Sequence, residues 1–150
     1  MESRRPRVTS ILITSSIALF VLCLATDGYY IEGSEPRAWS PGLGLLLLGW
    51  MGIGSGGTAW LANPLLFLGW ILFFFKQPVF SLLCSVGAIA LMFSFLFVDF
   101  VIASEAPTYA RVIGYGIGYW LWIASAASLL VAAFWRAGDI TIPSTDQRAP

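Results

Sequence analysis

Apolar residues fall into four stretches, at residues 8–26, 42–75, 79–103 and 111–135, joined by short polar connections such as Lys76-Gln77-Pro78 and Glu105-Ala106-Pro107. A membrane-spanning helix needs about 20 apolar residues, within a range of about 17–25. The first, third and fourth stretches each fit one crossing. The second does not. Pro41 to Phe75 is an uncharged run of 35 residues that holds eight of the chain's fifteen glycines and an Asn63-Pro64 pair. As one helix it would extend about 52 Å, against a hydrocarbon core about 30 Å thick. Tilt alone would need an angle beyond the usual range of about 0–40°.

The second stretch is therefore expected to break or kink. Its weakest place is Gly54-Ser55-Gly56-Gly57-Thr58, because each glycine costs up to about 1 kcal/mol in a helix interior. Asn63-Pro64 is the second weak place. Proline removes a backbone donor there, and Asn before Pro makes a good N-cap and N1 pair for a new helix. Two arrangements follow. In one, a short piece at about Gly42–Ile53 lies at or dips into the outer leaflet, and a second piece starts between Ala59 and Pro64 and descends to Phe75. In the other, a single kinked helix stands above the membrane at its outer end. The predicted fold is all-α: a polytopic four-transmembrane-helix bundle over residues 1–136 with a broken or kinked second helix, then a flexible cytoplasmic tail at 137–150.

Composition supports lipid as the solvent. The apolar fraction is 58% without glycine and charged residues are 11%, against about 45–50% with glycine and about 25% in soluble domains. The net charge of zero argues against nucleic acid as a partner. The first stretch, which follows Arg4, Arg5 and Arg7, has the outline of a signal peptide with a passable site at Cys23-Leu24-Ala25. It is long for one, and three more spans follow, so it is read as an uncleaved first helix.

Charge also fixes an expected orientation. With four crossings and a cytoplasmic N-terminus, the inside holds Arg4, Arg5, Arg7, Lys76, Arg136 and Arg148, and the outside holds only Arg37 and Arg111. This asymmetry of six to two obeys the positive-inside rule. Counting the long run as two crossings would make it four to four. The expected setting is a bacterial inner membrane, with both chain ends in the cytoplasm.

Helices in lipid associate through close packing and polar contacts, because there is little hydrophobic drive between them. The fourth stretch offers a small-residue seam, Gly114, Gly118, Ser125 and Ala132, read as one helix face. Ser81, Ser85 and Ala88 in the third stretch, and Ser10 and Thr14 in the first, are similar. The indole N–H groups of Trp120 and Trp122 need partners at depth. Trp39, Tyr109 and Trp135 are placed at the interfaces.

Little here points to chemistry. The chain has no histidine, so the commonest general base and metal ligand is missing. Asp99 is the only carboxylate near a span, and antiparallel helices would set it level with Arg111 as a candidate ion pair. Proton relays need more than one buried acid. Cys23 and Cys84 sit at opposite depths, too far apart for a disulfide, and make a poor metal site. No cofactor and no enzymatic activity are expected. The longest outer connection, residues 26–40, is acidic and aromatic.

Trp60-Leu61-Ala62-Asn63-Pro64-Leu65 and Gly118-Tyr119-Trp120-Leu121-Trp122-Ile123-Ala124-Ser125, with Pro36-Arg37-Ala38-Trp39-Ser40 and Gly49-Trp50 upstream, resemble an uncharacterised group of small bacterial four-helix inner-membrane proteins. The likeness covers roughly residues 28–130. It implies a bacterial inner-membrane setting and no activity. The leading expectation is a protein that acts by association, with membrane lipids around it, as an accessory or scaffold subunit of a membrane complex or as a homo-oligomer. The alternative is a small channel or carrier whose site is the break marked by Gly54, Ser55, Gly56, Gly57, Asn63 and Pro64.

Overall fold

A computed structural model describes residues 4–32, 41–55, 57–102 and 109–140. Four helical segments are long and apolar enough to cross a membrane: Arg7–Leu24, Gly57–Phe74, Pro78–Phe97 and Ile117–Gly138. They lie on α1 (Arg4–Leu24), α3 (Ala62–Phe74), α4 (Pro78–Ser94) and α5 (Ile117–Ile140). These helices close a ring in the order α1, α5, α4, α3.

Each contact in that ring is a polar clasp set among apolar side chains. Ser16 Oγ donates to the Ser125 carbonyl and Ser125 Oγ donates to the Ser16 carbonyl, both at 2.8 Å. Trp70 Nε1 donates to Ser16 Oγ at 2.9 Å, tying α3 to α1. Ser81 Oγ of α4 donates to the Gly69 carbonyl of α3 at 2.8 Å. The Tyr119 hydroxyl of α5 donates to the Met92 carbonyl of α4 at 2.9 Å. Around these bonds Leu66, Ala88, Met92, Ala126, Leu129, Ala132 and Ala133 are fully buried. Large side chains such as Phe74, Phe80, Leu83 and Phe134 face outward, as a lipid solvent allows.

The turn between α3 and α4 shows how a short polar spacer ends one span and begins the next. The N–H of Lys76 donates to the Phe73 carbonyl and that of Gln77 to the Leu72 carbonyl, the Schellman pattern of a helix C-terminus. Lys76 takes the left-handed position, with φ of 59°. Pro78 then opens α4 at its first turn, where its missing N–H costs nothing. Arg136 of α5 donates to the Phe73 carbonyl at 3.1 Å and lies over the Phe73 ring at 4.8 Å from its centre. A cation thus meets the negative end of α3.

The far end of the bundle departs from the all-α expectation. Three strands, β1 (Tyr29–Ile31), β2 (Phe100–Ile102) and β3 (Tyr109–Tyr115), form an antiparallel sheet in the order β1-β3-β2. Tyr29 pairs with Tyr115 and Phe100 with Arg111. The sheet closes a second small core of Ile31, Ala59, Phe95, Val101 and Tyr119. The expected spans 79–103 and 111–135 are therefore shorter at this end. After Phe97 the helix has reached the length of a membrane core, and β-branched Val98, Val101, Ile102, Val112 and Ile113 favour an extended chain.

At the other end of the sequence, α5 continues through Ile140, beyond the expected boundary at 136. Residues 141–150 of the expected tail, and Trp39, lie outside the described residues.

Candidate functional site

The uncharged run is broken rather than kinked. A seven-residue helix, α2 (Gly42–Leu48), runs into 3-10 turns at Gly49–Ser55 and Gly57–Leu61, and only then into α3. The two 3-10 segments fold back on one another. A methyl group placed on Gly57 would lie 2.6 Å from the Gly52 carbonyl, and one on Gly49 would lie 2.6 Å from the Trp60 ring. Glycine is required at both positions by close approach. Trp60 Nε1 donates to the Leu46 carbonyl at 2.9 Å and holds α2 against the second 3-10 segment.

The sequence-predicted residues of the break divide into three groups. Gly54 and Ser55 close the first 3-10 segment, Gly57 opens the second, and Gly56 lies outside the described residues. Asn63 and Pro64 fall inside the first turn of α3. They do not form the expected N-cap and N1 pair, because the second 3-10 segment feeds α3 directly and leaves no free helix start to cap. Asn63 has another use. Its Oδ1 accepts a hydrogen bond from Trp122 Nε1 of α5 at 2.9 Å. This supplies the partner that Trp122 requires. Trp120 is instead exposed.

The small-residue seam is also redistributed. Gly114 belongs to β3, not to a helix, so the four-residue spacing to Gly118 carries no helix-packing meaning. Gly118 lies in the first turn of α5, where an added methyl would sit 2.8 Å from the Asp27 carbonyl. Ser125 forms the clasp to α1, and Ala132 is fully buried. Asp99 and Arg111 do come level, but through the ladder between β2 and β3 rather than through neighbouring helices. The Val112 N–H donates to the Asp99 carbonyl, and both side chains are exposed. Cys23 and Cys84 are free.

The break, α1, α5 and the sheet together line a half-open cavity of about 510 Å³, within the usual range for small-molecule sites. Phe20, Leu45, Met51, Phe95 and Trp122 contribute apolar wall, and Gly49, Gly52 and Gly57 leave room for it. Among the described lining residues none is charged. Burial raises the Tyr29 phenol above its usual range, so it faces the cavity as a neutral group.

The polar atom of most interest is the Asn63 amide nitrogen. Asn63 is 7% exposed. An indole N–H can only donate, so Trp122 fixes the Asn63 oxygen toward itself and turns the amide N–H groups away. Those N–H groups have no hydrogen-bond partner among the described residues, yet the nitrogen is not sealed from solvent. Asn63 is one of the residues that line the cavity. Sequence reading named Asn63 for its backbone effect. The signal for this second role was an amide inside an apolar span, which must find partners.

No protein-family model, curated protein or solved structure matches the chain.

Proposed function

We propose that the protein works by holding another molecule within the bilayer, without a covalent step, and that the break ending at Pro64 is where it does so. The cavity of about 510 Å³ beside that break is the observation that carries this reading. Its described wall carries no charged side chain and is mostly apolar, it includes the unpartnered amide N–H groups of Asn63, and Gly49 and Gly57 along it are held by close contacts. Of the two expectations from sequence, this favours the small channel or carrier with its site at the break over the accessory or scaffold subunit. The small residues of the expected packing seam are used within this chain: Ser125 and Ala132 face inward and Gly118 abuts the segment that follows α1.

The association reading keeps one observation in its favour. Phe97, Phe100, Ile113, Ile117 and Trp120 form exposed apolar surface near the sheet, and such surface beside polar groups can seat a partner. Native mass spectrometry of the full chain in mild detergent separates the two. A monomer carrying a small non-protein mass supports the cavity reading. A defined oligomer or a second polypeptide, with no small mass, supports association.

The proposed setting is a bacterial inner membrane with both ends of the chain in the cytoplasm. Of the described basic residues, Arg7 near the start of α1, Lys76 in the α3–α4 turn and Arg136 near the end of α5 lie at one end of the bundle, and Arg111 on β3 lies at the other. This separation is the one the positive-inside rule favours. An impermeant maleimide applied to sealed cells should label a cysteine at Glu32 and spare one at Lys76. The reverse pattern inverts the topology.

A further inference from the structure

Resting on the reading of the cavity as a binding site, we infer that its ligand is a neutral, membrane-dissolved molecule with a hydrogen-bond-accepting oxygen, received by the Asn63 amide. Three observations define this class. No charged side chain lines the described wall, and a formal charge drawn against it would lack a partner, which disfavours a charged group at the Asn63 end. The free polar group is a donor, because Trp122 holds the Asn63 oxygen and leaves the N–H groups of this cavity-lining residue without a partner among the described residues. The donor is also oriented in advance, since the same bond fixes the amide plane. A carbonyl oxygen is the natural counterpart, and the rest of the molecule is apolar. Two membrane-borne sources share this chemistry: the ester carbonyl of an uncharged acyl lipid and the ring carbonyl of an isoprenoid quinone.

The probes are a long-chain methyl ketone and the alkane of equal length, each carrying a diazirine. They are photolysed with the full-length protein in vesicles of phosphatidylethanolamine and phosphatidylglycerol, and labelled peptides are mapped. Both should mark peptides that contain residues 45–60, with the ketone favoured about 3- to 10-fold, the net worth of one hydrogen bond. Failure of both probes to label that region removes the binding site itself. Labelling of that region without ketone preference leaves the site and removes the role of Asn63.

The paired variant Asn63→Leu with Trp122→Phe takes away donor and acceptor together, which spares the core an orphaned polar group. Its ketone-to-alkane ratio should fall to about one, and a ratio equal to that of the natural chain overturns the assignment. If the variant does not fold, the comparison of the two probes on the natural chain still decides the question. Unlabelled diacylglycerol and a polyprenyl quinone serve as competitors, and whichever displaces the ketone identifies the source. Displacement by added phosphatidylglycerol alone contradicts a neutral ligand.

Discussion

The two ends of this bundle are built by opposite means. From the middle of the bundle to its Arg136 end, helices meet through small residues and reciprocal hydroxyl bonds. Ser16, Ser81, Ser85, Ser125 and Ala132 are fully buried, and the α3–α4 turn is closed by backbone bonds and a guanidinium. At the sheet end, glycines bring the chain close to itself in 3-10 turns, and the same residues that allow close approach leave space beside it. Small residues thus serve two purposes in lipid. Facing another helix backbone they close an interface. Clustered at a helix break they leave a cavity, because irregular backbone at membrane depth must be covered by protein or line a space.

The sharpest test of that contrast enlarges one small residue at each end. Ala132→Leu, at a fully buried position, should lose about 2–3 kcal/mol by overpacking. Gly44→Leu, where an added methyl meets nothing within 4 Å, should lose nothing and gain up to about 1 kcal/mol from helix propensity. Unfolding of both by SDS titration in mixed micelles measures the difference, and equal losses would erase the distinction between the two ends.

The next effect in size concerns the clasp. Ser16→Ala removes the bond to Ser125 and the acceptor of Trp70, and should cost about 1–3 kcal/mol. A double-mutant cycle with Ser125→Ala should show coupling of about 0.6–1.7 kcal/mol. Single-variant losses near zero at both serines would mean that apolar packing alone holds α1 to α5.

Arg136→Gln should cost about 1–2 kcal/mol in the same assay, through the lost charge-assisted bond to the Phe73 carbonyl and the lost ring contact. Arg136→Lys should recover only part of it, since an ammonium lacks the planar fork. Full recovery would reduce the contact to simple charge.

The smallest effect has the opposite sign. Lys76→Gly should stabilise by about 0.5 kcal/mol, the relief of a left-handed side chain offset by glycine's freedom in the unfolded chain. A loss would show that the lysine ammonium contributes more at that helix end than its backbone costs.

The four long apolar helices and the place of the break were legible because both rest on length and composition. The sheet was not. Residues 98–102 and 111–115 are short apolar runs with no periodicity of their own, and such runs do not distinguish strand from helix. They were absorbed into the neighbouring spans, and Gly114 was carried with them into a helical seam. The β-branched density at Val98–Ile102 was the available hint.

Asn63 was legible as part of the break and of a possible site there, but not as the acceptor for Trp122. A polar residue before proline reads as a cap, and only the spatial arrival of Trp122, 59 positions away, shows that its side chain is committed elsewhere. The cavity could not be read at all, since its wall comes from α1, the break, α5 and the sheet at once.

The pairing of α1 with α5 has a consequence for how the chain is made. Ser16 and Ser125 are separated by 109 positions, so at about 5–20 residues/s the first helix waits roughly 5–20 s for its partner to be synthesised. During that interval its hydroxyl can turn to its own backbone, to lipid or, once α3 has been made, to the Trp70 indole that it meets in the finished fold. The insertion machinery must therefore tolerate a solitary first helix, and the last one to emerge seals the ring.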